Sequence, residues 1–114
     1  MADCIARIGR YTEGSKDRFL TSELVQDAVV RNLQVLSEST TRLSDRIKAT
    51  ESAIPWLEIK AFRNRLTHGY PAIDLDTVWE VIRQNLPQLD DAVRRMRTLL
   101  QADKQSAPNV PDTP

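Results

Sequence analysis

The sequence predicts an all-α protein, an up-down bundle of four main helices with a kinked C-terminal helix and a disordered tail. Three observations carry this. Only three glycines and six aromatic residues occur in 114 positions, so tight-turn residues and strand formers are scarce. Apolar side chains recur at intervals of three and four over long stretches, which is helical periodicity. Apolar residues make up 40% and charged residues 28%, a globular composition of one domain's length. A domain over residues 1–104 followed by a tail over 105–114 is the expected organisation.

The first helix is expected over about residues 2–12, with Ile5, Ile8 and Tyr11 as its apolar line and Gly14 as its stop. A brief turn around Ser15–Leu20 leads to the second helix. Thr21 or Ser22 can cap it, and Glu23 suits its positively polarised first turn. Val25, Val29, Asn32/Leu33, Leu36, Thr40 and Leu43 then form a stripe of about five turns. Asn32 and Glu38 lie on or beside the stripe. They suit either a solvated flank or a site between helices. Asp45–Ser52 is polar and reads as the crossing to the third helix. Ile54-Pro55-Trp56 starts that helix, because proline is favoured at the first helical position. Ile59, Phe62 and Leu66 are its stripe, and Gly69 and Pro71 its stop. Asp74 or Asp76 can cap the fourth helix, which carries Val78, Ile82, Leu86, Leu89, Val93, Met96 and Leu100. Pro87 inside it predicts a kink near residues 83–87. The stripes of the second and fourth helices are long enough to pack antiparallel. Ser106–Pro114 holds three of the six prolines and one sizeable apolar side chain. It cannot repay its ordering entropy.

Rare residues bound the chemistry. Sixteen basic and sixteen acidic side chains sum to zero, which argues against a protein held to nucleic acid or anionic membrane by overall charge. The single cysteine, Cys4, excludes an intrachain disulfide and suits a reducing compartment. The single histidine, His68, excludes a zinc site of several His and Cys within one chain. No apolar run reaches membrane-spanning length, and Met1–Arg7 lacks the apolar core of a signal peptide. A cytoplasmic protein is expected, without membrane contact, metal or cofactor.

Most acidic pairs have plain explanations. Asp74 and Asp76 are explained by helix capping. Asp90 and Asp91 are helix neighbours that point in different directions. Cys4 reads as a small buried residue. What remains is Lys60-Ala61-Phe62-Arg63-Asn64-Arg65-Leu66-Thr67-His68-Gly69-Tyr70. Taken alone, a cation at the end of a helix is already favoured by the dipole. On a continuous helix Asn64 and Arg65 share a face with His68, whereas Arg63 lies about 140° round. Arg63 and His68 converge only if the helix ends at His68, if Arg63 reaches across, or if a second chain contributes.

Arg63-x4-His68-x-Tyr70 resembles the Arg-x4-His-x-Tyr motif of HepT-like toxins, a branch of the HEPN superfamily. Asp27–Glu38, Ile54-Pro55-Trp56 and Asp74-x-Asp76-x-Val78-Trp79-Glu80 extend the resemblance over about residues 5–100. Ser37-Glu38-Ser39 stands where that family usually has a Gly-Glu-Ala-like step, and the first helix is shorter than usual there. The resemblance implies a HEPN-type bundle and a metal-independent ribonuclease toxin acting as a dimer. It implies a partner too, an MNT-type nucleotidyltransferase antitoxin that transfers AMP from ATP to the motif tyrosine, here Tyr70. It makes Arg63 and His68 the catalytic pair.

The residue chemistry fits that implication. A neutral imidazole can take a proton from a 2′-OH near neutral pH, and a guanidinium can hold phosphate oxygens through two parallel hydrogen bonds. Asn64 could orient either His68 or the RNA, and Lys60 and Arg65 add charge for RNA binding. Lys60, Arg63 and Arg65 put three cations into six residues despite the neutral total. The rival expectation is a non-catalytic HEPN module that docks a nucleotidyltransferase; a plain structural bundle is a second.

Overall fold

The structure, a computed structural model, describes residues 1–68 and 74–106, with backbone alone for His68 and residues 103–106. Its described residues form helices and short connections only, in the order α1 (Ala2–Thr12), α2 (Lys16–Thr21), α3 (Glu23–Thr41), α4 (Asp45–Ala49), α5 (Trp56–His68), α6 (Leu75–Glu80), a π-helical turn (Val81–Asn85) and α7 (Leu86–Ser106). The four expected helices correspond to α1, α3, α5 and the α6–α7 run.

The buried line of α1 is Cys4, Ile8 and Thr12, spaced at four. Ile5 and Tyr11 pack at its edge. The helix stops through two residues in the left-handed region, Glu13 at φ 52° and Gly14 at φ 69°. Only the glycine adopts that conformation without steric cost.

The segment read as a turn at Ser15–Leu20 is instead mostly helical. Ser15 caps α2 by accepting from the Arg18 N–H at 3.1 Å. One and a half turns are too short to be stable alone. Tertiary contacts hold them: Phe19 is fully buried and its ring stacks on Trp79 of α6, centroids 5.9 Å apart. The side chain of Gln26 donates to the carbonyls of Phe19 and Leu20, satisfying acceptors that the end of α2 leaves open.

Ser22 caps α3, accepting from the Val25 N–H at 3.2 Å. The expected stripe is buried from Val25 to Thr40, with Val30 and Ser37 added to it. Ser37 spends its hydroxyl on the Leu33 carbonyl, so no buried polar group is orphaned there. The crossing at Asp45–Ser52 contains α4, a second short helix that hydropathy did not reveal. Ser44 caps it, and Ile47 is its one buried anchor.

α5 begins one residue later than proline statistics suggest. The Pro55 carbonyl accepts the first helical bond, from the Ile59 N–H at 3.1 Å, so Pro55 precedes the first helical position. The Trp56 indole N–H pins this end by donating to the Lys48 carbonyl of α4 at 3.1 Å. α5 runs to His68; the proposed stops Gly69 and Pro71 lie outside the described residues.

Asp74 caps α6, its Oδ1 accepting from the Asp76 N–H and its Oδ2 from the Thr77 hydroxyl. The disturbance expected around Pro87 is present as the π turn, where the Leu86 N–H reaches the Val81 carbonyl five residues back. Pro87 has no N–H to offer and its ring crowds the preceding turn. A widened turn accommodates that ring. α7 continues to Ser106; the remainder of the proposed tail, 107–114, lies outside the described residues.

The closest neighbours of α3 are α1 and α5, while α7 approaches α1. The expected side-by-side pairing of the second and fourth helices is therefore loosened, and a groove opens between α3, α5 and the start of α7. Leu66, Ile8, Val29 and Val78 are fully buried. Each contributes about 1.5–3 kcal/mol by leaving water. No described helix is long and apolar enough to cross a membrane.

Candidate functional site

α5 carries Lys60, Arg63, Asn64, Arg65 and the backbone of His68. Its position is fixed from both sides of the chain. Leu66 drives into the core at 0% exposure. From α3, Gln34 donates its amide N–H to the Leu66 carbonyl at 3.2 Å. That carbonyl lies in the last described turn of α5. A side chain of α3 thus holds the turn of α5 that leads to His68.

Arg63 also meets α3. Its Nη2 lies 2.9 Å from Glu38 Oε2, and its Nη1 donates to Asn64 Oδ1 at 3.4 Å. The Arg63 side chain is 31% exposed and that of Glu38 44%, so the pair is open to solvent and to ligand. At such exposure the pair adds at most about 1 kcal/mol to stability. Its main effect is to hold the planar guanidinium in one orientation at the α3–α5 junction. Glu38, left open between flank and site by its spacing, belongs beside the site. Asn32 does not; it donates to the Ala28 carbonyl of its own helix at 2.8 Å.

Arg65 faces the other way round α5. Its guanidinium carbon stands 5.7 Å from the centre of the Phe62 ring, within cation–π range. Lys60 is exposed on the outer surface. The three cations therefore do not form one patch: Arg63 pairs on the α3 side and Arg65 stands above Phe62, while Lys60 is exposed one turn before Arg63. His68 is the last described residue of α5. Its side chain and Tyr70 lie outside the described residues, so the structure brings Arg63 and Asn64 together and leaves those two members undescribed.

The remaining candidates resolve into structural roles. Asp74 spends both carboxylate oxygens on the α6 cap, and Asp76 Oδ1 pairs with Lys16 Nζ at 3.3 Å. Asp90 pairs with Arg94 one turn on, at 3.0 Å. Cys4 is a buried free thiol. Among the described residues no three His, Cys, Asp or Glu side chains converge as a metal group. Sequence spacing did not single out Gln34, the clamp, and it left Glu38 without its partner Arg63.

The all-helical bundle, with its third main helix carrying arginine, asparagine and histidine, is consistent with an all-α HEPN bundle. More narrowly, the chain belongs to the HepT-like ribonuclease family, whose model matches residues 1–96. It is 28% identical over 98 residues to a "Probable ribonuclease HepT" of Thermococcus cleftensis, covering 85% of this chain and 89% of that one. It is 27% identical over 104 residues to a "Putative RNase" of Caldanaerobacter subterraneus subsp. tengcongensis, covering 91% and 90%. A third relative, a "Gamma-glutamylcyclotransferase and putative RNase" of Methanocaldococcus jannaschii, is 30% identical over 109 residues. That match takes in 95% of this chain but 49% of the relative, so this chain spans about half of that protein's length. No solved structure matches the chain significantly.

Proposed function

We propose that this protein is a metal-independent ribonuclease, the toxin half of a toxin–antitoxin pair, working as a dimer in the cytoplasm. The observation that carries the reading is the braced Arg63: a guanidinium oriented by Glu38 and Asn64 on the helix that also carries the only histidine. Membership of the HepT-like ribonuclease family supports the same assignment.

In this reading Arg63 and His68 are catalytic. Neutral His68 takes the proton of a ribose 2′-OH. The freed oxygen attacks the adjacent phosphorus, and Arg63 stabilises the added negative charge on the phosphate oxygens. The bond to the 5′ oxygen breaks as that oxygen gains a proton. A single histidine cannot start as both base and acid, so the second His68 of a dimer supplies that proton. Asn64 supports the geometry, and Lys60 and Arg65 hold neighbouring phosphates. No cofactor takes part.

Regulation follows from Tyr70, two residues beyond the histidine. An MNT-type nucleotidyltransferase would join the tyrosine oxygen to the α-phosphorus of ATP, releasing pyrophosphate. The AMP phosphate then competes for the cations that serve RNA.

Incubating the protein with RNA in EDTA tests the central claim. Cleavage should persist in the chelator and fall by orders of magnitude in His68→Ala and in Arg63→Ala. Equal cleavage by parent and variants removes the catalytic assignment. Binding of a nucleotidyltransferase without any cleavage would favour the docking-module alternative.

A further inference from the structure

The groove between α3, α5 and the start of α7 is not used by the chemistry above. Its floor is apolar, with Leu36, Ile59 and Phe62 among its lining, and Asn85 and Gln88 stand on its far wall. Its volume is about 170 Å³. Pockets for drug-sized molecules run to ~300–1,000 Å³, so this one takes a single ring system rather than a stretch of chain. Its two α5 ends differ in charge. Arg65 lies at the end nearer His68, and Glu58 lies seven residues back on the same face, about 10 Å away along the helix.

That polarity decides what can enter. A phosphate is drawn to the Arg65 end and repelled from the Glu58 end. A planar base fits the interior. Arg65 already stands over the Phe62 ring, and both aromatic rings and guanidinium planes are surfaces on which unpaired bases stack. Amides on one wall and a carboxylate at the end supply donors and acceptors for a base edge. Phe62 and Arg65 stand three residues apart on one face, and His68 follows three positions further along α5.

Resting on the ribonuclease reading, we propose that this groove is a nucleobase subsite: one unpaired base of the RNA, next to the bond that is cut, stacks at Phe62 and Arg65. Glu58 accepts a hydrogen bond from the base's exocyclic amino group. The subsite therefore prefers adenine, cytosine or guanine to uracil, which has no such group. Arg65 becomes a specificity residue as well as a phosphate contact.

The test uses His68→Ala protein, which should bind RNA without cutting it. Fluorescence anisotropy is measured with a short single-stranded RNA and with copies carrying one abasic position each. One position should cost about 5- to 100-fold in affinity, as loss of a stacked base does. That penalty should collapse when Phe62→Leu is added, which keeps an apolar side chain and removes the ring. Circular dichroism checks that this variant is folded. Glu58→Gln, at an exposed position, gives a second readout: discrimination against uracil at the sensitive position should weaken. A flat abasic profile, a penalty that survives Phe62→Leu in a folded protein, or discrimination unaffected by Glu58→Gln overturns the subsite while parental cleavage still stands. If the parent does not cleave and His68→Ala does not bind RNA, the ribonuclease reading falls and the subsite with it.

Discussion

Replacing Gln34 by alanine removes the side-chain bond from α3 to the last described turn of α5, the 3.2 Å contact with the Leu66 carbonyl. A neutral hydrogen bond of this kind contributes about 0.5–1.5 kcal/mol net. Alanine returns a few tenths through its higher helix propensity. The expected loss is about 0.5–1 kcal/mol, and it should fall on the last turn of α5 rather than on the core. In terms of local opening, that is about a 2- to 5-fold rise in the fraction of time the turn is undone. Native-state hydrogen exchange reads this directly. The amides of Leu66, Thr67 and His68 should exchange about 2- to 5-fold faster relative to the core amides of α3. Gln34→Glu should do worse than Gln34→Ala, because it sets a carboxylate against a carbonyl at the negative end of the helix dipole. Cleavage should follow the same order, parent above Gln34→Ala above Gln34→Glu. If exchange at the three amides stays in step with the core in both variants, Gln34 does not hold the helix end.

Glu38→Gln should lower KM for RNA, since a repelling carboxylate is gone. It should also lower kcat, since Arg63 loses the charge that orients it; an unchanged kcat would show that the pair does not position the guanidinium. Glu51 is held below the usual carboxylate range by its hydrogen bonds from Arg95, partly opposed by desolvation and helped by the charge of that arginine. A depressed carboxylate stabilises the fold above its unfolded value and loses that contribution as pH falls through the folded one. Thermal melts should therefore show parent above Arg95→Ala at neutral pH, with the gap closing as pH drops below about 4.3; a gap constant down to strong acid would contradict the linkage. Gly9 lies in the middle of α1 with nothing within 4 Å of where a Cβ would stand. Gly9→Ala should raise unfolding free energy by about 0.5–1 kcal/mol in urea titrations, and a loss would mean that something packs closely on that face.

Much of the fold was legible because its signals are local. Ser22 and Asp74 announce helix starts through side chains that reach backbone N–H groups two or three residues on. Pro87 announces its disturbance by chemistry within one turn. The short helices α2 and α4 escaped because six and five residues cannot show a period. Their caps, Ser15 and Ser44, were the available signal, and each needed a buried anchor, Phe19 or Ile47, to become decisive. The site divided in the same way. The Arg63–Asn64 neighbourhood follows from sequence order. The Gln34 clamp and the Glu38 ion pair depend on how α3 and α5 are set against each other. Spacing along one helix carries no information about that register. The direction of Arg65 was partly hidden too, since counting three cations in six residues says nothing about their spread around a helix.

The π turn at Val81–Asn85 is a party wall. Val81 and Asn85 face the groove toward α5, Ile82 and Arg83 face a second cavity toward α1, and Leu86 just beyond the turn borders both. A substitution made here to alter one compartment cannot leave the other untouched. Clean probes of either compartment must come from the opposite walls, from α5 on one side and α1 on the other.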